Sequence, residues 1–149
     1  MTTVWNYTSS KQRAALSTMF VRYNPNPEGR STGDCAVRAL SKALDQTWDQ
    51  TYVGLCAEGF HRKDWGNADS VWGPYLKRHG FRRYLIPDTC PDCYTVADFA
   101  TENPYGTFIL SIPGRHVVTV VNGDIFDSWD SSREVPSYFW AKKEGAKTW

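Results

Sequence analysis

Apolar positions fall at helical spacing through the first half of the chain and crowd into short runs in the last third. Ala36, Val37, Leu40, Ala43 and Leu44 share one helical face, directly after a loop-forming stretch, residues 23–33, that is rich in Asn, Pro and Gly. Thr47 and Gln50 form a capping-box pattern, which predicts a second helix running to about Glu58, before Gly59. A third helix over Val71–His79 is expected to stop at Gly80, a residue able to take the left-handed conformation there. Phe81–Ile86 reads as a short strand, and Thr95 with Asp98 predicts another capped helix ending before Asn103-Pro104. Upstream, a short helix is expected over Lys11–Phe20.

The last third reads as sheet. Thr107–Ile112 is β-branched and aromatic and is broken by Pro113-Gly114. His116–Val121 and Asp124–Trp129 flank Asn122-Gly123, a strong two-residue hairpin signal. Tyr138, Phe139 and Trp140 supply a further strand. Helices first and an antiparallel sheet second predict an α+β architecture in one domain spanning 1–149, with residues 1–20 a peripheral segment. A two-residue turn sets Val121 opposite Asp124 and Val118 opposite Asp127. His116, Val118, Val120, Ile125, Asp127 and Trp129 then share one face, with His116 and Asp127 as diagonal neighbours and Asp130 pointing away.

Composition narrows the function classes. The 149 residues are 41% hydrophobic and 22% charged, which suits a folded domain rather than a disordered chain. Aromatics reach 15%, with seven Trp, implying a core of large rings or an aromatic-lined groove. A net charge of +1 gives no electrostatic case for nucleic acid or a membrane surface as partner. The start of the chain lacks the basic and apolar regions of a secretory signal, and four unevenly spaced cysteines read as reduced thiols, so a cytoplasmic setting is expected.

Cys35 stands where a Gly-containing loop meets a helix, a position whose free N–H groups and dipole favour a thiolate. An imidazole held by a carboxylate on rigid strands is what a general base needs, and His116 with Asp127 fits that description. For each residue alone a bland reading exists: a buried structural cysteine, a hydrogen-bonded core histidine, a turn-capping aspartate. Their joint placement is not easily explained by packing. His61 and His79, the other histidines, fall on or beside polar helical segments.

A cysteine at a loop-to-helix start, a histidine opening a strand and Asp127-Ser128-Trp129 together resemble the papain-like cysteine peptidases, which carry Asn-Ser-Trp or its Asp equivalent at that place. Gly33-Asp34-Cys35-Ala36-Val37-Arg38-Ala39, with His116-Val117-Val118 and Asp127-Ser128-Trp129-Asp130, is most similar to small papain-like proteins of bacteriophages and prophages, over residues 20–140. The resemblance implies a papain-like fold with the nucleophile at a helix N-terminus. It also implies a Cys35–His116–Asp127 triad shielded by Trp129, a peptide or protein substrate, no cofactor, and host cytoplasm as the location. Papain-like enzymes place an oxyanion-hole glutamine shortly before the cysteine, and none lies between Gln12 and Cys35. Asn24 or Asn26 is the stand-in expected here, although both also suit a turn. Two rival readings follow: a weakly active or inactive papain-like binding module engaging a host protein, and an acyl transferase of transglutaminase type.

Cys90-Pro91-Asp92-Cys93 is the other constellation. A zinc site would need Cys56 and His61 to join it, and a chain of this length folds without a metal, so free thiols are expected.

Overall fold

The computed structural model describes residues 3–4, 19–114 and 116–142. Its helices are α1 (Cys35–Leu44), α2 (Trp48–Arg62), α3 (Asp69–Arg78) and α4 (Val96–Glu102). Its strands are β1 (Thr3–Val4), β2 (Phe20–Arg22), β3 (Phe81–Leu85), β4 (Thr107–Ile112), β5 (His116–Val121), β6 (Asp124–Asp127) and β7 (Tyr138–Lys142). The strands form one sheet in the order β1-β3-β7-β4-β5-β6-β2. The architecture is α+β, as the sequence pattern predicts.

The sheet is covered on both faces. Ile109 and Val117 pack with Leu40, Leu55, Trp72 and Leu76 of α1, α2 and α3. Their chain neighbours Leu110 and Val118 pack on the opposite face with Tyr94 and with Val96 and Phe99 of α4. Successive residues of a strand face opposite ways, so two covered faces require an unbroken apolar run, and β4 and β5 have one. Thr119 turns its polar atom to use within this core, donating its hydroxyl to the carbonyl of Ala39 at 2.7 Å.

The sheet is also mixed rather than antiparallel. The β4–β5, β5–β6, β4–β7 and β3–β7 pairs are antiparallel, but β2 runs parallel to β6 and β1 parallel to β3. Residues 11–18 of the expected N-terminal helix lie outside the described residues, and Phe20 begins a strand instead.

The hairpin register is the predicted one: Val121 pairs Asp124, Val120 pairs Ile125 and Thr119 pairs Phe126. Asn122 and Gly123 hold φ of 49° and 81°, the left-handed pair that a tight hairpin turn requires. The capping boxes at Thr47/Gln50 and Thr95/Asp98 are both formed. The second helix, however, passes through Gly59 and ends only at Arg62. Gly59 serves close approach: a Cβ there would meet the carbonyl oxygen of Asp64 at 2.6 Å and the Gly66 nitrogen at 3.2 Å. The α2–α3 loop thus packs backbone against helix at this point.

Candidate active site

Cys35 is the first residue of α1 and is half-buried against the core. Its thiol lies close enough to the His116 imidazole and the backbone N–H of Val117 for both to act on it electrostatically. The α1 helix packs mainly on β5, so the N-terminal end of the one meets the first residue of the other. Two locally determined elements, a loop-to-helix start and a two-residue hairpin, thereby deliver nucleophile and base to one spot.

His116 Nε2 bonds to the Asp127 carboxylate, which leaves Nδ1 as the nitrogen for Cys35. Asp127 is buried and accepts further bonds from Ser131 Oγ at 2.6 Å and its neighbour's Ser128 N–H at 2.7 Å. Its backbone carbonyl accepts from Tyr23 N–H at 2.7 Å where β2 runs beside β6. Side chain and main chain of the carboxylate's residue are therefore both held. Asp130 is exposed and accepts from the backbone N–H of Ser132, as its outward placement predicts.

A buried arginine stands behind the carboxylate. Arg38, one turn along α1 from the cysteine, reaches Asp127 at 3.5 Å through Nη2 and forms an ion pair with Asp34 through Nη1. Asp34 is buried too and accepts the Trp48 indole N–H at 2.8 Å. With its carboxylate so engaged, Asp34 makes no side-chain cap on α1. Arg38, Asp34 and Ser131 escaped sequence reasoning. A signal existed for the arginine: it lies within the Ala36–Ser41 stretch that the core buries, and a cation so placed demands partners.

The electrostatics follow from these contacts. Burial opposes charge on His116, but the Asp127 bond and the Cys35 thiolate outweigh it and push its pKa up to about 9. Burial likewise raises the Cys35 thiol, yet the His116 bond and charge, the Val117 N–H and the nearby Arg38 bring it below its ordinary value. Both shifts favour a thiolate–imidazolium pair, whose protons belong to the pair rather than to either residue. Such a pair can attack an electrophilic carbon and return a proton to what departs.

Trp129 lies against the imidazole with ring centroids 4.8 Å apart, tilted by 44°, and is partly exposed. Asn24 and Asn26 are engaged in their own loop. Asn24 donates to the Arg30 carbonyl at 3.0 Å and accepts from Asn26 N–H, while Asn26 accepts from Glu28 N–H at 2.9 Å. Asn24 thus spends its amide donor on the turn rather than aiming it at Cys35.

Beside the start of α1 opens a cleft of about 1010 Å3, bounded by Thr32, Gly33 and Asp34 on the nucleophile's side and by α2 and the α2–α3 loop opposite. Trp48 and Tyr52 stack on its wall at 4.7 Å, and Phe60 and Trp65 stand exposed at its rim. The abundant aromatics therefore serve both core and groove.

No protein-family model, no curated protein and no solved structure matches the chain.

The other cysteines are of a different kind. Cys56, Cys90 and Cys93 are free and exposed. Among the described residues no group of three or more His, Cys, Asp or Glu side chains is arranged to hold a metal ion. No helix among them is long and apolar enough to cross a membrane.

Proposed function

We propose that the chain is a papain-like thiol hydrolase acting on a peptide or isopeptide bond, with Cys35 as nucleophile, His116 as acid and base, and Asp127 as the orienting carboxylate. The observation that carries this reading is the alignment of the Cys35 thiol beside His116, which is hydrogen-bonded to buried Asp127, with Trp129 against the imidazole.

The Cys35 thiolate adds to the carbonyl carbon, forming a C–S bond and an oxyanion. As the oxyanion collapses the C–N bond breaks, and the imidazolium of His116 gives its proton to the departing amine. Water then loses a proton to His116, attacks the thioester and releases a carboxylic acid and the free thiolate. An amine in place of that water would make the reaction a transfer. Reduced thiols and a thiolate nucleophile suit a cytoplasmic setting.

Competitive alkylation by iodoacetamide at neutral pH tests the reading. Cys35 is expected to react first, with His116→Ala slowing it about 10²-fold or more. Asp127→Ala should also slow it, and Asp130→Ala should leave it unchanged. Equal labelling of all four cysteines would favour a binding module on the same fold.

A further inference from the structure

We infer that Asn67 is a catalytic residue of the same site, its side-chain Nδ2 donating to the oxyanion together with the Cys35 backbone N–H. This rests on the acyl chemistry proposed above and assigns the group that stabilises its developing charge. Attack on a carbonyl moves a full negative charge onto oxygen, and fixed N–H donors at that oxygen are usually the largest single aid to such a step.

The Cys35 N–H opens α1 and has no hydrogen-bond acceptor among the described residues. A second donor must come from beside that helix turn. Asn67 is there. Its Oδ1 accepts the backbone N–H of Ala36, the residue after the nucleophile, at 3.4 Å. That bond orients the planar amide, because only the oxygen can face a donor, and leaves Nδ2 free on its other edge. Nδ2 has no partner among the described residues, and Asn67 lines the cleft next to Gly33 and Asp34.

The loop bearing Asn67 is held in place. Gly59 and the residues 64–66 pack backbone to backbone, Asp64 accepts from Trp65 N–H at 2.8 Å and from Ser70, and Ala68 N–H donates to Trp65 O at 2.9 Å. A donor on such a loop is in position before substrate arrives, which is what makes it effective. The chain thus replaces a glutamine upstream of the cysteine with an asparagine from a loop that follows it. The sequence carries no hint of this, since 31 residues separate Asn67 from Ala36.

Two reactions of Cys35 separate this role from a structural one. Alkylation by iodoacetamide displaces iodide and develops no oxyanion; acylation by p-nitrophenyl acetate does. Asn67→Ala is expected to slow acylation about 10²-fold while alkylation stays within about twofold. Asn67→Asp keeps the oxygen that faces Ala36 N–H but lacks the donor, so it should lose acylation as well. Acylation at the wild-type rate in both variants overturns the assignment, as does an equal loss of alkylation. So does a selective loss in Asn26→Ala with none at Asn67. If the unaltered protein shows no His116-dependent acylation of Cys35, the hydrolase reading itself falls, a result visible before any Asn67 variant is made.

Discussion

Two charged clusters in this molecule are built with opposite stoichiometry. Near the triad, two buried carboxylates, Asp34 and Asp127, share one buried guanidinium, Arg38. Between α2 and α3, one buried carboxylate, Glu58, is shared by Arg62 at 2.6 Å and by Arg78, both half-exposed. The second cluster staples two helices, and its cations can turn to water if their partner goes. The first has no such exit. All three of its members are buried, and Arg38 Nε is buried without a partner, so losing the cation would leave buried Asp34 with the Trp48 N–H alone and Asp127 with His116 as its remaining cationic partner. A like-looking contact therefore has a different consequence according to which sign is free to leave.

Removing the shared member of each cluster is the strongest test of that difference. Arg38→Leu is expected to destabilise the fold by about 3–5 kcal/mol, the usual cost of breaking a buried pair. Denaturant unfolding measures it, and a loss below 1 kcal/mol, on the order of a surface pair, would end the contrast. Glu58→Gln should cost less, about 1–2 kcal/mol, because Arg62 and Arg78 rehydrate. A Glu58 variant more damaging than the Arg38 one would reverse the ranking.

The smallest effects lie in pH dependence, and the two regions should fail at opposite ends. Bonds from Arg78 and Arg62 hold the Glu58 carboxyl down at about 2, below its ordinary 4.5. A depressed acid stabilises above its unfolded value, and that share is lost as pH falls from about 4.5 towards 2. His116 is raised from 6.5 to about 9, so its share is complete below 6.5 and is lost as pH rises through about 9. Melting temperature against pH should lose part of its acid slope in Glu58→Gln alone. The alkaline slope is best read in Cys35→Ser, which removes the opposing thiol while keeping Asp127, and it should vanish when His116→Ala is added. An alkaline slope that survives the double change would sever His116 from the effect.

What was legible in the sequence was whatever local rules determine. Asn122-Gly123 sets the hairpin register, the register sets His116 and Asp127 on one face, and the loop-to-helix change sets Cys35 at an N-terminus. Trp129 lies beyond β6, which ends at Asp127 rather than at Trp129 as the pattern predicts, so alternation does not place it. What was not legible depends on distant segments meeting. The parallel pairing of β2 with β6 joins residues about a hundred positions apart, and Asn67 reaches α1 from across α2. The covered second face was in principle readable, since Val117-Val118-Thr119-Val120-Val121 does not alternate polar with apolar. Gly59 misled because a glycine near a helix end is usually a stop, and here it is a contact.

That contact has a consequence for how the cleft can change. Its far wall is located by main chain on main chain: Gly59 against Asp64 and Gly66, and Gly66 against the carbonyl of Leu55 at 3.4 Å from where a Cβ would stand. Neither distance involves a side chain that substitution could lengthen or shorten. Phe60 and Trp65, by contrast, project from this frame into solvent. The groove is a rigid chassis with exchangeable tips, in which preference can drift residue by residue at the rim while the spacing between α2 and the loop stays as it is.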